Sequence, residues 1–401
     1  MRTFSVAERR ARLAHRHFLG TPDEIPPIPE MTGALVGWHA TDPTTPYLSL
    51  WARRPDFTIA ALDAEMYQHR SLVKQLAMRR TLWLIPSPDL AAVLPGASDR
   101  VAANERRRLI ADIESAGVAA DGAAWLDTAA AAVLEHLGEH GEASTTELRT
   151  ALPELTGTYD PAPGKTWGGI GHVAPRVMTV LSVSGAIVRG PNAGSWVTSR
   201  PRWVSTENWL GPIERLPAEQ AHAELVRSWL HAFGPASLTD LKWWFGSTLT
   251  ASRAALAAVG AVAVDMDGTP GYALADDLEP VSTPDPWVAL LPSLDVTTMG
   301  WVERDWYIGA HRSQVFDTNG NAGPTVWFNG RVIGAWSQDS SARVQLHLIE
   351  DPGAPARKAL DRKATELTDW LAGTKVSPRF PSPLSKAIAS KTIASTTAAK
   401  R

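Results

Sequence analysis

Two stretches of this chain repeat one local pattern, and that repeat limits the fold more than any other feature. Residues 141–148, GEASTTEL, align with residues 234–241, GPASLTDL, at an offset of 93. In each, a glycine ends one helix, Ser144 or Ser237 caps the next, and Leu148 or Leu241 is its first core residue. Upstream, Val133 and Leu137 fall on Val226 and Leu230. Downstream, SGAIV (184–188) matches VGAVA (259–263) at an offset of 75. Each run then passes a turn, Gly190-Pro191-Asn192 or Asp267-Gly268, into a second strand, SWVTS (195–199) or GYALA (271–275). Both copies read helix, tight turn, helix, helix, two-stranded wing, and the first carries an 18-residue insertion near 156–175. A helical solenoid would not end each copy in a hairpin, so the pattern predicts two winged-helix units.

The portion before the repeat follows a related order. Ser5 caps a predicted helix with Val6, Leu13 and Phe18 on or near one face and Arg9, Arg10, Arg12 and Arg16 largely elsewhere. His15 and His17 on that helix read as solvated or phosphate-facing. A proline-rich connector (20–31) leads to GALVGWHATDPTTPYLSLWARR (33–54), then a helical run around 62–76, the strand TLWLIP (81–86) and a helix begun by Ser87-Pro88. Within 33–54, Asp42-Pro43 marks a turn or helix start, because proline fixes φ and disfavours helix in the residue before it. His39 and Thr41 therefore sit near a helix boundary with small Ala40 between them, where two polar side chains can point at one spot. Taken by itself, a single histidine is more often structural than catalytic, and Asp42 fits a helix cap better than a partner for His39.

After about residue 282 the pattern changes to short strands: WVALLPSL, WYIG, TVWFNG, RVIGAW and RVQLHLIE. Asn329-Gly330 between two of them is a two-residue hairpin signal. The reading is a small antiparallel sheet or barrel, closed by a helix over 356–371 carrying Leu360, Ala364, Leu367 and Leu371. The last thirty residues hold six basic and no acidic groups and are expected to be disordered.

A length of 401 residues asks for several domains, and 44% hydrophobic content supplies their cores. The absence of cysteine excludes disulfides and thiolate-held zinc or iron–sulfur sites. No run of eighteen apolar residues and no signal core is present, so neither a membrane span nor export is expected. The histidines show no metal spacing with carboxylates, the glycines at 168, 169 and 171 do not follow a strand into a helix, and no serine sits in a nucleophile elbow. No metal and no cofactor is expected. Net charge is −3 but unevenly spread: Lys+Arg against Asp+Glu is 15 to 11 over 1–108, 14 to 27 over 109–350, and 10 to 4 over 351–401. Local field, more than total charge, steers a polyanion.

The segment 38–42 and its flanks resemble the winged-helix DNA glycosylases of the AlkZ/YcaQ type. In that family a Gln-apolar-Gln or Gln-apolar-Asp motif, commonly followed by Asp-Pro, is catalytic; here His39 and Thr41 take the polar positions and Ala40 the apolar one. Pro46-Tyr47-Leu48-x-Leu50-Trp51-x-Arg53, Met78-Arg79-Arg80-Thr81-Leu82-Trp83, Thr239-Asp240-Leu241-x-x-Trp244, Asp295, Arg304-Asp305 and 330–336 continue the match over about 5–350. The resemblance implies an α+β fold of three tandem winged-helix units in a curved array, followed by a C-terminal antiparallel β-domain. The expected boundaries are 1–118, 119–212, 213–281, 282–372 with the C-terminal helix, and a basic tail 373–401. It implies a monofunctional DNA N-glycosylase that hydrolyses alkylated purines in repair or toxin resistance. His39 and Thr41 would be catalytic, supported by Trp38, Ala40 and Asp42. Arg53, Arg79, Arg80, Arg106, Arg107, Arg108 and Arg304 would contact double-stranded DNA. A cytoplasmic, nucleoid-associated monomer is expected, with no membrane partner. The alternative is a DNA-binding protein without hydrolysis, a damage sensor or regulator, consistent with the replacement of both glutamines.

Overall fold

The computed structural model describes residues 1–20, 24–160 and 169–389. The chain forms two compact units, one from Met1–Ala61 with Val226–Arg401 and the other from Leu62–Leu225. Helices dominate, and the strands form small antiparallel sheets.

In the Leu62–Leu225 unit, strands Leu72–Leu76 and Leu82–Pro86 pair from Leu72↔Pro86 to Leu76↔Leu82. The helix expected over 62–76 is thus corrected. The helical backbone ends by Gln68, Arg70 takes a left-handed φ of 55°, and the following residues pair with 82–86 instead. Non-local pairing overrides the local helical signal. The helix Gly122–His140 is capped by Asp121, whose side chain accepts from Ala124 N, and stops at Gly141 with φ 81°. It buries Leu126, Ala129, Val133 and Leu137, spaced three or four apart as one face of a helix requires. Ser144 and Glu147 form a reciprocal cap on Thr145–Ala151, with Ser144 N donating to Glu147 Oε2 at 2.7 Å and Glu147 N to Ser144 Oγ at 3.2 Å. The helix Ala174–Ser184 ends on left-handed Gly185, and the hairpin Ile187–Asn192 with Pro201–Ser205 follows. The second wing strand was expected at 195–199. Those residues instead form a loop held by Asn192, whose amide donates to Ser195 O (3.0 Å) and Thr198 O (2.9 Å), and the buried pair Trp203–Val204 provides the strand.

In the other unit, the second copy has the same parts. Val226 and Leu230 are buried on Ala218–Phe233, and Ser237 and Asp240 repeat the reciprocal cap on Leu238–Phe245. Leu249–Ala258 then precedes the hairpin Ala261–Asp265 with Pro270–Leu274. The copies agree at a finer level: Ala143 bridges Trp203 in the second strand of its own hairpin, and Ala236 bridges Tyr272 in the second strand of its own.

The same unit holds a four-stranded antiparallel sheet in the order Val288–Leu291, Thr325–Phe328, Arg331–Gln338, Val344–Leu348. The first and last strands are its edges, so it is an open sheet and not a barrel. Asn329 and Gly330 both have positive φ, 46° and 76°, as a tight two-residue hairpin turn requires. Ala354–Leu371 buries Ala356, Leu360, Ala364, Leu367 and Leu371. WYIG, read as a strand, instead contributes Trp306–Ile308 to a short helix, Asp305–Ile308; a four-residue apolar run carries no decisive period. Residues 374–389, expected to be disordered, are placed against this unit, with 383–389 helical and Ser382 buried. The remainder of the expected tail lies outside the described residues. No helix among the described residues is long and apolar enough to cross a membrane.

The N-terminal helix Val6–Arg16 forms as expected, with Ser5 as its cap, but its cations face inward. Arg12 and Arg16 both meet Asp277, at 2.8 Å and 2.5 Å, and Arg12 is 1% exposed. His17, expected at the surface, is fully buried.

Candidate active site and nucleic-acid interface

The candidate motif follows a strained reversal. The helix Ile28–Ala34 ends, Val36 adopts φ 62° and Gly37 φ 122°, and the chain enters the two-residue strand Trp38–His39. A β-branched residue in the left-handed region costs on the order of 1–2 kcal/mol, so the surrounding packing must impose it. Val36 is itself buried. Trp38 is locked by its indole N–H, which donates to Thr32 Oγ1 at 2.9 Å, while Thr32 donates to Ile28 O at 2.7 Å. Ala40 is buried as well, and no larger side chain separates the two polar positions.

His39 is 3% exposed and Thr41 is partly exposed. Thr41 N donates to His39 Nδ1 across 3.4 Å, which assigns the ring proton to Nε2. In that tautomer Nδ1 is the acceptor, and taking a proton there requires giving up the Thr41 contact. Asp42 closes the turn that precedes the next helix, whose N-cap is Thr44. Its Oδ1 accepts from Thr44 N (3.0 Å) and Thr44 Oγ1 (2.7 Å), and its Oδ2 accepts from Arg379 N (2.9 Å). The carboxylate thus fixes the start of the helix Thr45–Trp51 and also receives the C-terminal segment.

Beneath that helix, Arg53 corrects an expectation. Its side chain is fully buried and every guanidinium N–H finds an acceptor. Two go to Asp295 (2.9 Å each), and the others to His17 O (2.9 Å), Ser49 O (2.8 Å) and Thr297 Oγ1 (2.8 Å). An arginine so engaged holds the motif's supporting helix and does not reach a phosphate. Its guanidinium also lies 4.9 Å from the Trp38 ring centroid, linking this frame to the motif. Arg304 is corrected for a similar reason. It is 2% exposed and stacked on Phe316 (4.0 Å) and Trp243 (5.2 Å), with burial the main influence lowering its pKa from the ordinary value.

The other basic candidates lie in the Leu62–Leu225 unit. Arg79 and Arg80 form the tip of the hairpin Leu72–Leu76/Leu82–Pro86, both left-handed at φ 55° and 62°. Arg80 is half exposed and bonds Glu105 through Nε (2.7 Å) and Nη2 (3.0 Å), while Glu105 itself is buried. Arg108 reaches the same carboxylate at 3.7 Å with its side chain 70% exposed. Arg106 pairs with exposed Asp127 at 2.8 Å, and Arg107 donates to Asn104. Glu105 therefore gathers two exposed arginines, a role that its position inside a run of arginines did not reveal. Asp295 and Arg379 were likewise not singled out as holding the motif, since both act through contacts hundreds of residues away. Among the described residues, no group of three or more His, Asp and Glu is arranged to hold a metal ion.

A family model described as DNA glycosylase AlkZ-like matches residues 32–370. Among solved structures, Streptomyces sahachiroi DNA glycosylase AlkZ matches with a TM-score of 0.70 and 20% sequence identity, covering 94% of this chain and 99% of that one. No curated protein matches by sequence. The structural likeness establishes the shared fold, and the family match covers most of the chain, including His39, Thr41, Asp42, Arg53 and Asp295. This chain belongs to the AlkZ-like family of DNA glycosylases.

Proposed function

We propose that this chain is a monofunctional DNA N-glycosylase acting on alkylated purines, with His39 and Thr41 holding the attacking water. N7-alkylation makes the base cationic, so it leaves without a general acid. Water oxygen bonds to C1′, the C1′–N9 bond breaks, its electron pair neutralises the departing base, and the water proton passes to solvent. The protein must place the water and stabilise oxocarbenium-like charge at C1′. The observation that carries this reading is the frame around the motif. Trp38, Asp42 and the Arg53–Asp295 pair hold the segment bearing His39 and Thr41, within a family match spanning 32–370. We read both repeats and the N-terminal portion as three winged-helix units over 1–118, 119–212 and 213–281, followed by the β-domain over 282–372. Arg79, Arg80, Arg106, Arg107 and Arg108 would meet backbone phosphates, and the protein would act as a cytoplasmic monomer.

One observation favours a DNA-binding protein without hydrolysis: His39 is 3% exposed and its Nδ1 already accepts from Thr41 N. Incubating the purified chain with a duplex containing N7-methylguanine and measuring released base separates the two readings. Release that depends on His39 supports hydrolysis, and tight binding without release supports the alternative.

A further inference from the structure

Residues 374–389 cross the loop that carries Thr41 and Asp42. Arg379 N donates to Asp42 Oδ2 at 2.9 Å, and Arg379 Nη1 donates to Thr41 O at 3.2 Å. Gln338 clamps the segment's start, donating to Thr374 O at 3.0 Å and accepting from Val376 N at 2.8 Å. Farther along, Ser382 sits against Gly323, where an added Cβ would lie 2.7 Å from its Oγ, so only glycine leaves the room. Between these anchors the fit is incomplete. A cavity of about 510 Å³ opens beneath the segment, bounded among others by Asp42, Thr44, Leu48, Trp336, Val376 and Ile388.

The anchors are polar, and the cavity leaves much of the segment's inner face without packing. A segment that only partly fills the space beneath it gives up fewer packing contacts on lifting than a fully packed one. Its charge is one-sided: residues 374–389 hold three basic side chains, Lys375, Arg379 and Lys386, and no acidic one. Among the described residues, the Arg379 guanidinium has a neutral carbonyl as its hydrogen-bond acceptor and no carboxylate partner. A phosphate oxygen is a stronger acceptor than a carbonyl, since charge-assisted bonds are roughly twice as strong as neutral ones.

We propose that residues 374–389 form a gate, closed over the Thr41–Asp42 loop in the free protein and opened by the phosphates of duplex DNA, which take the guanidinium of Arg379. Opening removes the Arg379 N donor and leaves Asp42 Oδ2 facing the cavity, so access to the loop and release of its carboxylate are one event. The inference rests on the DNA-directed reading above and adds a regulatory step to it.

Amide hydrogen exchange on the full chain, with and without a short undamaged duplex at low salt, tests it, with duplex affinity measured in parallel. The expected result is a protected Arg379 amide in the free protein that exchanges about tenfold faster or more once duplex is bound. The variant Gln338→Ala, which loosens the clamp without altering charge, should bind duplex several-fold tighter. Duplex binding with the Arg379 amide equally or better protected overturns the gate and leaves the DNA reading standing. Failure of both wild type and Gln338→Ala to bind duplex overturns both.

Discussion

Arg53 and Asp295 meet in a doubly bonded ion pair, Nη1 to Oδ2 and Nη2 to Oδ1 at 2.9 Å each, with neither side chain exposed to solvent. Asp295 also accepts from Ser49 Oγ (2.6 Å) and Thr297 N (2.9 Å), so both oxygens are fully used. Burial pushes the Asp295 carboxyl up, but the Arg53 charge and these hydrogen bonds outweigh it and hold the group below its ordinary value. The pair joins the helix after the motif to the loop after the first strand of the four-stranded sheet.

Breaking that pair should be severe. Asp295→Asn leaves a buried guanidinium without its counter-charge, which typically costs about 3–5 kcal/mol. Denaturant unfolding of wild type and variant measures it. Because Asp295 is depressed in the folded state, its contribution is present above the unfolded carboxyl range and disappears as pH falls through the folded value. A loss under about 1 kcal/mol would mean that the pair is not the support described.

His17 predicts a second acid sensitivity. Its Nε2–H donates to Ala232 O (3.1 Å) and its Nδ1 accepts from Thr297 Oγ1 (2.7 Å), whose oxygen in turn accepts from Arg53. Burial, then the nearby Arg53 charge, push its pKa from 6.5 down to about 3. The unfolded chain therefore binds a proton below pH 6.5 that the folded chain refuses. Stability is complete above that point and falls as pH drops, by about 2 kcal/mol at pH 5. Urea unfolding from neutral pH to pH 5 should show this slope, and His17→Gln should flatten it. An unchanged slope in the variant would contradict the assignment.

The proposed contact of these arginines with duplex DNA can be tested through Glu105. Its carboxylate gathers Arg80 and Arg108, so Glu105→Gln should free both guanidiniums, strengthen duplex binding and steepen its salt dependence. Arg79→Ala with Arg80→Ala should do the reverse, flattening log K against log salt by roughly one unit per lost phosphate contact. Arg53→Lys or Arg304→Lys should leave that slope unchanged, since neither side chain meets solvent. Titrations at several salt concentrations decide between these outcomes.

Local chemistry made parts of this fold readable. Ser144 with Glu147 and Ser237 with Asp240 are caps written in four residues each, and Asn329-Gly330 is a turn written in two. The repeat was readable because both copies keep these marks at one spacing. What could not be read depends on distant partners. The strand Leu72–Leu76 exists because of 82–86, and inward-facing Arg12 and Arg16 depend on Asp277. At the motif, the residue types at 39, 41 and 42 were legible, along with the turn at Asp42-Pro43 that Asp42 closes onto Thr44. The burial of His39, its Nδ1 contact with Thr41 N and the grip of Arg379 on Asp42 were not, because no local pattern encodes them.

The most direct measurement is release of N7-methylguanine from a duplex by wild type, His39→Ala and the double variant His39→Gln with Thr41→Gln, with binding checked for each. Wild type should release the base and His39→Ala should fall by about 10²–10⁴-fold, with duplex binding retained. The double glutamine variant, which restores the polar pair of the resembled motif, should match or exceed wild type. Equal release by wild type and His39→Ala, or no release by any of the three while all bind duplex, would contradict the catalytic assignment.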